Sequence, residues 1–210
     1  DNIDISMPMI LHNGEMMTVN MHNMENKSLS EMTDALNDTI RRANNTDLNE
    51  VMFEVSMDNT IKGLKKGKVK QTIRRLYGSK MPGKHKVKTL SGREKKKYYS
   101  ISKKDRLTKY DIEQGTTTIS NIGSIGRTHK GTCYLLEIIP PQTTAFCIGA
   151  VQRKPWVVTD ENGNEKIEIR SILPLTCAID HRSLDYGDCV PMINRLNEIF
   201  NDPAVIQKWK

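Results

Sequence analysis

Thr116-Thr117-Thr118-Ile119-Ser120-Asn121-Ile122-Gly123-Ser124-Ile125-Gly126 is the stretch where the texture of this 210-residue chain changes. Downstream of Thr116 come β-branched residues and short apolar runs broken by turn residues, the pattern of strands. Thr116–Ser120, Cys133–Ile139, Thr144–Gln152, Pro155–Thr159, Lys166–Arg170 and Ile172–Ile179 all read as strands, and Asp160-Glu161-Asn162-Gly163-Asn164 reads as a turn between two of them. A sheet is therefore expected to dominate this half. A last helix follows, with Asp188 as its cap, an apolar face of Val190, Met192, Ile193, Leu196, Ile199 and Phe200, and Asn201-Asp202-Pro203 as its stop.

Upstream the signals are mixed. Ile3-Asp4-Ile5-Ser6-Met7 alternates apolar and polar as a half-buried strand does, and Asn13-Gly14 is a tight-turn dipeptide before Met16–Met21, so a hairpin is expected. Ser28-Leu29-Ser30-Glu31 has capping-box spacing, and Leu29, Met32, Leu36, Ile40 and Ala43 follow at helical intervals, predicting a helix over Leu29–Ala43. Asp47–Ile61 and Val69–Tyr77 read as further helices, the latter ending at Gly78, and Gly78–Lys104 reads as irregular.

The net charge of +7 is unevenly spread. Between Lys62 and Lys109 stand nineteen Lys and Arg against two acids, Glu94 and Asp105, so this block carries +17 and the remainder −10. Its runs, such as Lys84-His85-Lys86-Val87-Lys88 and Lys95-Lys96-Lys97, are poor in large apolar residues and broken by Gly78, Pro82, Gly83 and Gly92. The plain reading is a solvated or mobile surface; the functional one is a face for a phosphate-bearing cofactor, an acidic partner or nucleic acid. With only Tyr77, Tyr98 and Tyr99 interleaved, a base-stacking platform is poorly supported.

Cys133, Cys147, Cys177 and Cys189 include no Cys-x-x-Cys pair, so neither a zinc cluster nor a redox dithiol is signalled; free thiols are expected, with a disulfide as the alternative. No stretch approaches the roughly 20 apolar residues of a spanning helix, and the start lacks a signal-peptide pattern, so a soluble cytoplasmic protein is expected.

Two segments carry chemistry. Asp180-His181-Arg182-Ser183-Leu184-Asp185 places an acid four positions after a histidine, and Ser120 lies in a glycine-spaced segment. An imidazole, with an ordinary pKa of about 6.5, takes and returns a proton near neutrality. A serine hydroxyl steadies the oxyanion formed when a freed nucleophile attacks a carbonyl. Together they point to acyl transfer, whereas a lone histidine is more often a hydrogen-bonded structural group.

At these residues the chain resembles the catalytic domain of the 2-oxo acid dehydrogenase acyltransferases, the dihydrolipoyl acyltransferase cores, within the chloramphenicol acetyltransferase-like superfamily. The likeness lies in Thr116–Gly126, in Pro140-Pro141-Gln142 followed by Ala145-Phe146-Cys147-Ile148-Gly149-Ala150, in Asp180-His181-Arg182 with Asp185, and in Asn201-Asp202-Pro203. It is clear over Gly115–Lys210 and weaker over Ile3–Asn44. The resemblance implies an α/β two-layer sandwich, a mixed sheet flanked by helices. It makes residues 1–210 one acyltransferase-like domain that begins partway into the family's domain, with a basic insert-like segment at about 46–114.

It further implies that His181 is the general base toward the thiol of coenzyme A or dihydrolipoamide, that Ser120 donates to the oxyanion, and that Asp185 orients the histidine loop through an ion pair. No metal is required, the assembly is a homotrimer or a multiple of it with the base and the serine from different chains, and dehydrogenase subunits are possible partners. A lipoyl group would come from another chain. Departures are Tyr186 where glycine usually follows the acid, which would narrow the thiol channel, Arg127 in place of a second glycine, and an unusual connection over Thr128–Tyr134. The competing readings are a non-catalytic scaffold on the same fold and an anion- or nucleic-acid-binding module.

Overall fold

The computed structural model describes residues 2–67, 69–70, 72–74, 88–125 and 131–207. The chain forms two compact units, one from Asp1–Pro8, Asn20–Met32 and Gln114–Lys210, the other from Met9–Val19 and Thr33–Glu113. The upstream boundary of the second unit is earlier than the expected segment 46–114, and its end at Glu113 falls one residue before that segment's end.

Strands β1 (Ile5–Ile10) and β2 (Met16–Met21) flank the expected turn, where Gly14 takes φ 81° and its N–H bonds to the Leu11 carbonyl at 2.9 Å. That left-handed conformation costs glycine nothing. Helix α1 (Leu29–Asn44) starts where the capping box placed it: Glu31 Oε2 accepts from the Ser28 N–H and hydroxyl, both at 2.8 Å. Helix α2 (Leu48–Lys65) is capped by Asp47, whose side chain accepts from the Glu50 N–H at 3.0 Å. The expected helix over Val69–Tyr77 is helical at 69, 70 and 72–74; its remainder and the Gly78 cap lie outside the described residues. So do Lys84–Val87 of the basic block, Arg127 and Thr128–Lys130 of the Thr128–Tyr134 connection.

Within the second unit the core is Leu11, Met17, Val19, Ala43, Val51 and Leu107, with Met9, Leu48 and Ile112 packed on it. Here the basic block departs from expectation. Gly92–Ser100 is a helix, α3, and Tyr98 and Arg106 are buried. Lysine and arginine are good helix formers, and the two tyrosines supply the apolar surface that the count of charges concealed. Fully buried Glu50 accepts from the Leu90 N–H at 2.6 Å and from the Tyr99 hydroxyl at 2.8 Å. Arg106 reaches Glu54 at 3.0 Å and lies over the Tyr98 and Tyr99 rings at 4.9 and 5.3 Å. Arg106 is thus a structural charge, while most of the block's described lysines are exposed as a solvated surface would have them.

The sheet has the order β2-β1-β3-β4-β7, with β3 (Thr117–Asn121) followed by one helical turn, α4 (Ile122–Ile125), and β4 (Thr144–Ile148) next along the chain. Strand β3 runs parallel to β1 and to β4, and β7 (Leu175–Ile179) runs antiparallel to β4, so the sheet is mixed as expected. Strands β5 (Gln152–Thr159) and β6 (Glu165–Ile172) pair only with each other, as a separate two-stranded ribbon. The expected turn closes it: Asp160 Oδ1 accepts from the Asn162 and Asn164 N–H groups at 2.9 Å each. The single strand read over Thr144–Gln152 is thus the end of one sheet and the start of another, separated at Gly149–Val151. A side chain at Gly149 would meet Pro174 Cγ at 2.8 Å.

Cys133–Ile139, expected as a strand, has no regular structure. Tyr134 and Leu135 are both 88% exposed, so its alternation finds no facing layer. Gly115 is required by close backbone approach, because a Cβ there would stand 2.5 Å from the Asp4 carbonyl oxygen. The last long helix, α5 (Tyr186–Asn201), precedes the short α6 (Ala204–Gln207). Its cap is Asp185, not Asp188, which sits one turn in and accepts from the Asp185 N–H at 2.8 Å. The charged pair of Asp185 and Asp188 supports both readings from sequence; the extended backbone of Asp185 decides between them.

Candidate active site

Parallel pairing of β3 with β4, and antiparallel pairing of β4 with β7, set Ser120, Cys147 and Thr176 in one row across the sheet. Ser120 is half-buried and stands opposite Cys147 in the strand pairing. Burial pushes the Cys147 thiol up to about 11, the neighbouring Cys133 thiol adds to the rise, and Ser120 opposes it. Below the row, Thr118 donates to Gln142 Oε1 at 2.7 Å, and Gln142 Nε2 donates to Ser6 Oγ at 3.1 Å. Gln142 and Ser6 are each 2% exposed, so these bonds lock β1, β3 and the segment entering β4 together and give Ser120 a rigid base.

The second group sits on the turn after β7. Asp180 continues the pairing through its N–H to the Thr143 carbonyl at 2.8 Å, then takes Arg182 on its carboxylate, through the backbone N–H at 3.1 Å, Nε at 2.9 Å and Nη2 at 2.7 Å. Those bonds hold the Asp180 carboxyl down to about 2. Ser183 and Leu184 donate their N–H groups back to the Asp180 carbonyl at 2.9 and 3.1 Å, closing the turn. His181 stands on it, 75% exposed at its side chain.

The imidazole Nδ1 lies 3.0 Å from the Leu184 carbonyl oxygen and 3.4 Å from Asp185 Oδ1. Both neighbours are acceptors only, so this network assigns the proton to Nδ1 and leaves the lone pair on Nε2. The turn thus holds an exposed imidazole by its Nδ1. Tyr186, expected to narrow the approach, begins α5 and is 66% exposed.

Within one chain, Ser120 and His181 do not meet. Ile179 pairs with Thr144 and Thr144 with Thr117, so Ile179 and Ser120 are two strands and three rows apart, roughly 14 Å at ordinary sheet spacings. From Ile179 the chain runs on away from the Ser120 row before reaching His181. His181 and Asp185 are brought together, and Ser120 stands apart from both. The residues that composition did not flag are the Leu184 carbonyl, invisible because it is backbone, and Cys147 and Gln142, which only strand register places beside Ser120 and Thr118.

All four cysteines are free, Cys147 and Cys189 buried, Cys133 half-buried and Cys177 exposed. Among the described residues no cluster of ligands could hold a metal ion, and no helix is long and apolar enough to cross a membrane.

Residues 85–207 match the family model described as 2-oxoacid dehydrogenases acyltransferase, catalytic domain. The match begins thirty residues upstream of Gly115, inside the basic block. Among curated proteins, the chain is 40% identical over 93 residues to the dihydrolipoyllysine-residue acetyltransferase component of the pyruvate dehydrogenase complex of Acholeplasma laidlawii, covering 44% of this chain and 15% of that protein. It is 38% identical over 78 residues to the component of the same name from Mycobacterium bovis, covering 37% and 13%. The chain therefore spans well under a quarter of these relatives' lengths. The fold is that of a solved dihydrolipoamide acetyltransferase from Azotobacter vinelandii, with a TM-score of 0.55 and 16% identity over 99% of this chain and 57% of that one. That structure concerned the roles of a serine, a histidine and an asparagine four positions after the histidine in its catalytic mechanism.

Proposed function

Because this chain belongs to the 2-oxoacid dehydrogenase acyltransferase family, by its catalytic domain, we propose that it moves an acyl group between coenzyme A and a dihydrolipoamide-type thiol. His181 is the general base, Ser120 the oxyanion donor, and Asp185 the group that orients the histidine turn. The observation that carries this reading is the contact of His181 Nδ1 with the Leu184 carbonyl at 3.0 Å on an exposed imidazole, which leaves Nε2 outside the turn's own bonds. The spacing of His181 and Asp185 supports it too, since the Azotobacter enzyme was studied at a histidine and an asparagine with the same separation.

Nε2 takes the proton of the attacking thiol. The thiolate adds to the thioester carbonyl, and the oxyanion receives a hydrogen bond from Ser120 Oγ. Collapse expels the second thiolate, which recovers the proton from Nε2, so protons balance and no covalent protein intermediate forms. The separation of Ser120 from His181 within a chain requires that the two groups of one site come from different chains, and a trimer with three such sites satisfies this. The acyl-lipoyl group is carried by a lipoyl domain of the same or of another chain, with dehydrogenase subunits as partners. A cytoplasmic setting fits four unpaired thiols.

The test co-expresses H181A and S120A chains in equal amounts. Each variant alone is expected to lose transfer, whereas each mixed trimer regains one of its three sites, so that about a quarter of all sites in a random mixture are active, those that draw the intact histidine from one chain and the intact serine from its neighbour. Mixed trimers that remain inactive while the wild type transfers would sink the two-chain site. A wild type that transfers nothing would favour the scaffold reading.

A further inference from the structure

The second unit leaves one face of α2 bare. Over the first turns that face is covered by α3: Glu50 takes the Leu90 N–H and the Tyr99 hydroxyl, and Lys95 Nζ lies 5.6 Å from the centre of the Phe53 ring. Farther along, Met57, Ile61 and Leu64 follow at i, i+4 and i+7 on the same side. Gly67, at φ 75°, turns the chain back, and the helical residues 69, 70 and 72–74 return alongside. The two stretches meet on small residues: Thr60 and Thr72 are buried, and a Cβ on Gly63 would stand 3.2 Å from Thr72 Oγ1. Helical geometry then sets Val69 and Ile73 on the same side of this contact as Met57, Ile61 and Leu64. All five apolar residues are between 38% and 60% exposed.

The margins of this strip are basic. Lys65 stands on one side of it and Lys70 and Arg74 on the other, with Lys62 and Lys66 close by at the end of α2, all of them exposed. Among the described residues, only Lys62 of these five has an acid within reach, Asp58 at 3.4 Å. The acids of α2 are engaged elsewhere: Glu50 is buried, Glu54 pairs with Arg106, and Asp58 also takes Lys109. The strip lies upstream of residues 85–207, so the matched catalytic domain does not account for it.

We propose that this strip seats the protein on an anionic lipid bilayer. The apolar side chains enter among the headgroups, while Lys65, Lys70 and Arg74 lay their stems along the strip and carry their charges to the lipid phosphates. The helices rest on the surface; among the described residues none is long and apolar enough to cross it. Other occupants fit less well. A second copy would set lysine against lysine. A protein interface hides aromatic anchors at its centre and is poor in lysine, the opposite of this composition. Nucleic acid would take the cations and leave the apolar residues without a partner. The proposal goes beyond the acyltransferase reading and does not depend on it.

The experiment sediments the full chain with vesicles of phosphatidylcholine alone and of phosphatidylcholine mixed with phosphatidylserine. The expected result is retention by the anionic vesicles only, weakening as salt is raised. K65Q/K70Q/R74Q should lower the partition coefficient about 10²-fold, the combined worth of three cations at such a surface. I61S/L64S should lower it about tenfold through lost apolar burial. Both variants should keep the wild-type melting temperature, because the positions are exposed. No retention by the phosphatidylserine vesicles at low salt would overturn the site. Vesicle and DNA-duplex binding that I61S/L64S leaves unchanged would reduce the strip to a phosphate-attracting surface and overturn the bilayer as its occupant. A fall in molecular mass on I61S/L64S, with no vesicle binding by the wild type, would make the strip a contact between copies instead.

Discussion

Glu50 and His181 are both ionisable, and the chain treats them in opposite ways. Glu50 is wholly buried, with the Leu90 N–H and the Tyr99 hydroxyl on its oxygens and Lys95 Nζ at 3.8 Å. His181 is three-quarters exposed, held by one nitrogen to a backbone carbonyl, with the other left open. A buried carboxylate must be met by donors from its own unit, because desolvation is costly and must be offset locally. A group meant to exchange protons with an incoming molecule must keep one valence unspent. In this family member the buried carboxylate joins two helices, and the exposed imidazole is the group proposed to meet substrate.

Three substitutions sharpen that contrast, in falling order of effect. H181A should lower acyl transfer by about 10²- to 10⁴-fold, the usual worth of a general base. Its melting temperature should stay close to wild type, since the side chain is exposed; a large fall in melting temperature would show that the turn is structural. E50A should do the reverse, costing about 3 kcal/mol of stability by denaturant titration through the loss of a buried, bonded charge. An E50A protein as stable as wild type would mean that α3 does not depend on this carboxylate.

The smallest effect concerns alkaline pH. Burial first, and then the hydrogen bond to Glu50, raise the Tyr99 hydroxyl above its ordinary 10.0. The folded state therefore holds this proton where the unfolded chain has begun to release it. Stability from this group is complete below pH 10 and falls as pH rises from there toward the folded value. Y99F should flatten the alkaline limb of a stability profile and leave the neutral region slightly lowered by the lost bond. An unchanged alkaline limb would show that Tyr99 is not coupled to folding.

Elements whose ends are written in local side-chain chemistry were legible from sequence. The Ser28 and Glu31 capping box, the Asp47 cap, the left-handed Gly14 and the Asp160 turn all stand where their residues put them. The misreadings came where two solutions share one local pattern. Cys133–Ile139 has strand-forming residues and no partner strand. Gly92–Ser100 has the charge of a solvated loop and becomes a helix because Tyr98 finds a buried place. Asp185 and Asp188 are equivalent as caps until the backbone chooses Asp185. At the site, His181 and Asp185 were readable as a pair because i and i+4 residues on a turn remain neighbours. The pairing of Ser120 with Cys147 was not, because it arises from the register between β3 and β4.

By itself, then, the sequence determined the order and kind of the main elements, the histidine with its acid, and the family to which they belong, all of them properties of residues within a few positions of one another. Only tertiary structure decided that the β5–β6 ribbon stands apart from the sheet, that Ser120, Cys147 and Thr176 share one row, and that Glu50 meets Leu90 and Tyr99. Strand register and burial join residues distant along the chain, and no local pattern encodes which rows will coincide.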